Sequence, residues 1–318
     1  MNGCENIIDA ATSVAPQILI VDGHSYAYRA FFAIRKLSSP SGKPTNAIYG
    51  FIRMLGKIQA TVQPSHAVVA WDGGLAEERT KLHPEYKAQR PKMPLEMKGQ
   101  LDEIVAYLTA AQVCSWVKDG VEADDCIATL TRRAVEAGID VVIATADKDF
   151  MQLVSPQVRL LGPSGGADAF VDIDQVIAKT GVAPSQVVDW LSLVGDSVDN
   201  IPGVPGIGPK TATVLLQQYG SIEEIYRQLE KVTPNRLRSG LEASVELVEK
   251  NRKLVRLDVN VPCELELETM RVRQADSEQL RRLYEGWGFK TLLRELEGQV
   301  YETGDLFACP KPKTKVCQ

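Results

Sequence analysis

Four short apolar runs, each followed closely by a carboxylate, restrict this chain to few architectures. Ile18-Leu19-Ile20-Val21 ends at Asp22, and Ala67-Val68-Val69-Ala70-Trp71 ends at Asp72. Val113-Cys114-Ser115-Trp116-Val117 precedes Glu122, and Val141-Val142-Ile143-Ala144-Thr145 precedes Asp147. Runs that are β-branched and apolar on both faces suit buried parallel strands. Helical periodicity fills the intervals at about 44–62, 94–111 and 122–138. Strands alternating with helices of this length predict βαβ units and a parallel sheet covered on both faces. Ligands of such sheets gather beyond the carboxyl ends of the strands, so the sequence converges acids on one edge.

Beyond about residue 175 strand-like runs become rare, and helical patterns dominate at about 184–194, 209–219, 221–230, 241–256 and 276–298. The expected division is a flexible N-terminus (1–15), an α/β domain (16–175), a helical region (176–300) and a proline- and lysine-rich tail (301–318) expected to be disordered. A chain of 318 residues can bury a substantial core without staples. Its six cysteines form no Cys-x-x-Cys pair, so neither a zinc site nor a disulfide framework is expected. Cys114 and Cys126 lie in apolar stretches and read as small core residues. The first seventeen residues include Glu5 and Asp9 and lack the long apolar run of a secretory signal. No stretch approaches the ~18 apolar residues of a membrane span. Together these point to a reducing cytoplasm.

The acids recur in clusters: Asp22, Asp72, Glu122-Ala123-Asp124-Asp125, Asp147-Lys148-Asp149 and Asp196-Ser197-Val198-Asp199. Singly, a strand-end aspartate is a turn former or helix cap, and Asp-Asp at a helix start complements the dipole. Those readings do not explain so many acids on one sheet edge. Two like charges ~4 Å apart cost roughly 4 kcal/mol at an effective dielectric of ~20, so such a pocket holds protons or cations. Oxygen ligands without His or Cys select hard ions such as Mg²⁺ or Mn²⁺, which suits two-metal phosphodiester hydrolysis. The formal net charge of −5 seems to oppose a nucleic-acid partner, but the nine acids contribute −9 of it and leave +4 on the rest. Two bound Mg²⁺ bring the whole to −1.

Ile20-Val21-Asp22-Gly23-His24-Ser25-Tyr26-Ala27-Tyr28-Arg29-Ala30 resembles the start of the 5′-nuclease domain of bacterial DNA polymerase I. Val121-Glu122-Ala123-Asp124-Asp125 and Ala144-Thr145-Ala146-Asp147-Lys148-Asp149-Phe150 are similar to its second and third acidic blocks. Gly195 through Ala212 resembles its helix–three-turn–helix block. The resemblance spans roughly 16–298. It implies a PIN-like α/β fold with a helical arch, a helix-hairpin-helix-like region, relation to flap endonucleases, and two or more Mg²⁺ or Mn²⁺ ions. It also implies removal of 5′ flaps and RNA primers from DNA, in replication and repair. By motif, Asp22, Asp72, Glu122, Asp124 and Asp125 would surround a first metal, Asp147 and Asp149 would lie between, and Asp196 and Asp199 would serve a second. Asp125 and Asp147 count among the catalytic groups, and Asp125→Asn is expected to depress cleavage far more than DNA binding.

The segment Arg79–Lys98 is basic, with Arg79, Lys81, Lys87, Arg90, Lys92 and Lys98, and with Tyr86 interleaved. Composition alone equally allows a solvated basic face. Lys87 and Arg90 share a face if the segment is helical. The resemblance places that pair over the metals, against the scissile phosphate, as electrostatic stabilisers; Arg79 also matches a family arginine, and Arg79 and Tyr86 are expected among the DNA contacts. Two placements are open for Tyr28: the core, since Ala27, Ala30, Phe31 and Phe32 look buried, or the DNA, since the resemblance implies that it stacks on a base beside the cut. Gly203, Gly206 and Gly208 before Lys210 and Thr211 form a hairpin opening a helix, suited to phosphate contact without base readout. The family version often holds K⁺ there. His24, His66 and His83 look incidental, which leaves metal-activated water as the expected nucleophile. Alternatives are a phosphatase, disfavoured by His at position 24, a PIN-type ribonuclease, and a catalytically silent DNA-binding module. The polymerase normally continues into further domains. The chain is expected to be either a trimmed piece of such a polymerase or a stand-alone monomeric nuclease, which would then work beside a separate DNA polymerase, in the cytoplasm at the bacterial nucleoid.

Overall fold

Backbone pairing joins the apolar runs into one sheet in the computed structural model, which describes residues 16–163, 165–166 and 169–302. The strands are β1 (Gln17–Asp22), β2 (His66–Trp71), β3 (Cys114–Val117), β4 (Asp140–Ala144), β5 (Val158–Leu161) and β6 (Phe170–Val171). Their order is β3-β2-β1-β4-β5-β6. All pairs are parallel except β5 with β6. The four strands read from the sequence are present. The sequence reading missed β5, which carries the charged Arg159, and β6, which is two residues long and too short to show a period.

The helices are α1 (Gly23–Ala33), α2 (Asn46–Val62), α3 (Glu77–Leu82), α4 (Leu95–Ala110), α5 (Ala123–Glu136), α6 (Ile173–Thr180), α7 (Val187–Val194), α8 (Pro209–Tyr219), α9 (Ile222–Arg227), α10 (Asn235–Glu242), α11 (Val245–Val255), α12 (Ser277–Trp287) and α13 (Lys290–Glu302). Of the tail 301–318 expected to be disordered, residues 301 and 302 close α13, while 303–318 and the expected flexible segment 1–15 lie outside the described residues. No described helix is long and apolar enough to cross a membrane.

Side chains alternate across the central strand. Ile18 and Ile20 enter one core with Ile143, Ile127 and Leu130, which continues into Leu191 of α7, Leu216 of α8 and Leu254 of α11. Leu19 and Val21 enter the other with Phe51 of α2 and Leu108 of α4. Tyr284, Trp287, Leu292 and Leu296 join that second core, so α12 and α13 return to the α/β part. Each fully buried aliphatic or aromatic side chain of this kind contributes about 1.5–3 kcal/mol. The strand ends that carry the acids are therefore held rigidly. Beside β1 the chain runs one way to β2 and β3, then crosses to β4 on the other side. Asp22 and Asp147 thus flank the point where the strand order reverses, where open α/β sheets form their ligand crevice.

Candidate metal centre and its surroundings

Asp22 ends β1 and caps α1, accepting from the Ser25 amide at 3.0 Å and from Thr145 Oγ1 at 3.1 Å. Thr145 Oγ1 also accepts from the Asp147 amide at 3.1 Å, and Asp147 Oδ1 accepts from the Asp149 amide at 2.9 Å. Thr145 therefore ties the ends of β1 and β4 together, a role its residue type did not advertise. Asp72 follows β2 and receives the Ala123 amide at the start of α5 at 2.9 Å. In the hairpin after α7, Asp196 and Ile201 exchange backbone bonds of 2.8 and 2.7 Å, which fixes the Asp196–Asp199 turn.

Burial pushes the Asp22 carboxyl up to about 7; the Ser25 amide opposes this, while the charges of Asp72 and Asp147 add to it. Asp124 is held well above the usual carboxylate range by burial, against Lys87, with Asp147, Asp22 and Asp72 adding. Asp149 is raised in the same way by burial, then Asp147, Asp196 and Asp199. Asp147 is raised by burial, and Asp199 and Asp196 add to it. The interactions define two overlapping groups, Asp22-Asp72-Asp124-Asp147 and Asp147-Asp149-Asp196-Asp199, with Asp147 common to both.

One carboxylate oxygen from each of Asp149, Asp196 and Asp199 falls within 4.8 Å of the others. Asp149 Oδ1 is buried and has no hydrogen-bond partner. A buried, unsatisfied carboxylate oxygen among further carboxylates fits a hard cation better than any neutral arrangement.

Lys87 enters this group from the segment after α3. Its Nζ lies 3.1 Å from Glu122, 3.5 Å from Asp124 and 3.9 Å from Asp199. Burial opposes its charge, but Asp124, Glu122, Tyr86 and Asp199 outweigh that, and its pKa is raised. Its backbone is left-handed, with φ 55°, and its amide donates to Asp199 O at 3.1 Å. Arg90 Nη2 donates to Asp199 Oδ1 at 2.5 Å. The pair shares the cluster but not a helix: residues 84–90 are turns, and α3 stops at Leu82. Lys148 adds a cation that sequence reasoning passed over, with Nζ 3.2 Å from Asp196.

Other expectations shift in placement. Arg79 is buried rather than presented to a ligand: it binds Glu122 at 2.9 Å and grips Asp125 through two bonds of 2.6 and 2.7 Å. Asp125 also accepts the Asp258 amide at 2.8 Å. The structure thus joins Asp125 to Arg79 and the 254–258 segment. Glu122 is shared, meeting Arg79, Lys87 and the Tyr86 hydroxyl, which donates to it at 3.2 Å. Tyr86, expected at the DNA, is 4% exposed. His24 and His83 are not incidental. His24 Nδ1 accepts the Asp72 amide at 3.1 Å, and His83 bridges Asn200 O at 2.8 Å and Lys250 at 3.1 Å.

Tyr28 is half-buried, close enough to Arg90 and Asp72 to feel their charges. Phe32, expected in the core, is 67% exposed. Gly206, Gly208 and Lys210 are exposed, Gly203 and Thr211 half-buried, and Gly208 caps α8 without a side-chain bond. This hairpin follows the Asp196–Asp199 turn but contributes no charge to the cluster.

A family model described as the 5′-3′ exonuclease N-terminal resolvase-like domain matches residues 17–181. A second, the 5′-3′ exonuclease C-terminal SAM fold, matches residues 182–278. A 5′-3′ exonuclease of Aquifex aeolicus is 39% identical over 280 residues, covering 88% of this chain and 95% of its own. DNA polymerase I of Bacillus caldotenax is 36% identical over 283 residues, 88% of this chain but 32% of its own, so the chain spans about a third of that polymerase. T5 5′-exonuclease with bound divalent metal ions (zinc) aligns at TM-score 0.63 and 21% identity, over 91% of this chain and 100% of that one. The catalytic core of Rad2 in complex with DNA substrate aligns at 0.60 and 17% identity, over 91% and 93%. At those identities the two structures speak for the fold alone, whereas the family models and the Aquifex relative extend along most of the sequence. The chain belongs to the 5′-3′ exonuclease family.

Proposed function

We propose that this chain is a structure-selective, divalent-metal-dependent 5′-nuclease, cutting DNA at free 5′ ends and at the base of 5′ flaps, including RNA-primed ones. The observation that carries this reading is the meeting of Asp22, Asp124, Asp147, Asp149, Asp196 and Asp199 with Lys87 and Arg90 at the point of strand reversal. Asp149, Asp196 and Asp199 would hold one cation, and Asp22, Asp72 and Asp124 another, with Asp147 between. Mg²⁺ or Mn²⁺ is the reading for both sites, and K⁺ for the glycine hairpin. Bound there, the ions supply an activated water and charge stabilisation at the leaving oxygen.

The chain's own residues orient and neutralise. Thr145 and the Ser25 amide fix the Asp22 carboxylate. Buried Lys87 and more exposed Arg90, now balanced by Glu122, Asp124 and Asp199, would turn onto an incoming phosphodiester and stabilise its developing charge. The helical region, entered near residue 175, would hold the duplex through Gly206, Gly208, Lys210 and Thr211 at the start of α8. The same reading makes the chain a monomer acting beside a separate polymerase in the bacterial cytoplasm, with cleavage needing no polymerase in the assay.

The test is a 5′-labelled flap duplex incubated with the protein in Mg²⁺ or EDTA. Cleavage near the junction that EDTA abolishes is expected. Asp149→Asn should slow it by roughly 100-fold or more, the scale of several kcal/mol of lost charge stabilisation, while binding in EDTA persists. Binding without cleavage in Mg²⁺ or Mn²⁺ would replace this reading with a catalytically silent DNA-binding module.

A further inference from the structure

Residues 23–71 contain no aspartate or glutamate, yet carry Arg29, Arg35, Lys36, Lys43, Arg53 and Lys57. Arg53 pairs with Glu295 at 2.7 Å. Arg29, Arg35, Lys36 and Lys43 are exposed, and none has a carboxylate within 4.0 Å among the described residues. These four cations surround the end of α1 and the loop after it. Phe32, in the last turn of α1 and between Arg29 and Arg35 in the sequence, is 67% exposed.

The Phe32 ring is not loose. It lies one helical turn beyond Tyr28, with centroids 6.4 Å apart and planes 16° from parallel. Phe31 backs it edge-on at 5.1 Å and 83°. Tyr28 stands at the acidic cluster, within reach of the charges of Asp72 and Arg90. A pair of near-parallel aromatic faces therefore leads outward from the cluster into a cationic surface that lacks its own counter-ions. An exposed apolar ring among unpaired cations is poorly matched to a lipid interior or an apolar protein face. It is well matched to a polymer with flat bases and anionic linkages.

We propose that Tyr28 and Phe32 are two successive rungs of a stacking platform for unpaired bases of a DNA strand leaving the cluster, with Arg29, Arg35, Lys36 and Lys43 along its phosphates. The proposal rests on the nuclease reading for its substrate, and Phe32 is a positioning residue in it. Tyr28 alone is what the motif resemblance implied; the second rung and the acid-free cationic border come from the structure.

The experiment is binding of the full chain in EDTA to flap duplexes that carry 2-aminopurine, or an abasic site, at single positions of the unpaired strand beside the junction. At one position the 2-aminopurine emission should be quenched by the wild-type protein. Phe32→Ala should relieve that quench and weaken binding roughly 5- to 100-fold, the range of one base–aromatic stack, and Phe32→Trp should restore both. An abasic site at the same position should weaken wild-type binding by the same factor and make Phe32→Ala silent. Equal weakening of intact and abasic flaps by Phe32→Ala, or no response of the wild type to any abasic position, would overturn the platform. The abasic arm needs no variant, so misfolding of Phe32→Ala does not blunt it. Cleavage in Mg²⁺ is read separately: its absence with the stacking responses intact sinks the nuclease reading alone, and its presence without them sinks the platform alone.

Discussion

Every N–H of the Arg79 guanidinium is used inside the molecule: Nε donates to Leu254 O, Nη1 to Glu122 and Asp125, and Nη2 to Asp125 and Arg256 O. Such a fork is a brace between the first turn of α5 and the chain leaving α11, and lysine cannot reproduce it. Arg79→Ala would leave buried Asp125 without its counter-charge and Glu122 with Lys87 alone, which costs about 3–5 kcal/mol. Urea unfolding should show a loss of that size, with Arg79→Lys recovering little; a change below ~1 kcal/mol would mean that the brace carries no weight. The same contacts revise the expectation for Asp125→Asn, which should now lower stability as well as cleavage. The sequence made all nine acids visible as residue types. It did not distinguish Asp124 from Asp125, because neighbours on a helix point about 100° apart and only the fold decides which of them meets Lys87 and which meets Arg79.

At the scale of the element, the glycine hairpin divides into positions that the fold needs and positions left open. A Cβ on Gly203 would lie 2.1 Å from Val194 O and 2.6 Å from its carbonyl carbon, so this glycine lets the hairpin close on α7. A Cβ on Gly208 would meet nothing within 4 Å, and its backbone is extended, with φ −98°. Gly203→Ala should therefore lower the melting temperature by several degrees, an overpacking cost of about 1–3 kcal/mol. Gly208→Ala should melt like the wild type yet bind duplex DNA more weakly, because the added methyl stands where a phosphate would approach the first turn of α8. A Gly208→Ala protein with unchanged duplex affinity would remove the hairpin from the interface. Three glycines before a helix were legible as a turn; which one packs and which one faces outward was not. The segment after α3 was legible only in its charges. Its turns are held by tertiary bonds, such as Asn200 Nδ2 to Glu85 O at 2.9 Å and the His83 contact with Asn200 O, which no local periodicity records.

For the whole molecule, the parallel sheet was legible because four strands repeat one pattern of apolar run then acid, three of them buried while the edge strand β3 is partly exposed, contrary to the expectation of burial on both faces; the crossing point between β1 and β4 then follows from chain order. The return of α12 and α13 to the second core, on the far face of the sheet, was not, since an amphipathic helix does not name the surface it will cover. The consequence of gathering acids at that crossing point is a stability that depends jointly on pH and on divalent ions. Asp22 has its pKa pushed up to about 7 from the ordinary 3.8, and Asp124, Asp147 and Asp149 are raised as well. In the unfolded chain these carboxyls ionise near their ordinary values, while the metal-free fold still holds their protons. Unfolding then releases protons, so this contribution falls as pH rises from about 4 towards 7 and stays low above that. A divalent cation binds the ionised cluster and not the protonated one, and it stabilises only the folded state. Melting curves at pH 5 and pH 8, each with and without Mg²⁺, should therefore show a metal-induced rise in Tm that is small at the lower pH and clearly larger at the higher. Asp149→Asn should shrink that rise at pH 8, because it removes one of the three oxygens that converge within 4.8 Å. An equal Mg²⁺ increment at both pH values would mean that the ion stabilises the fold somewhere other than this cluster.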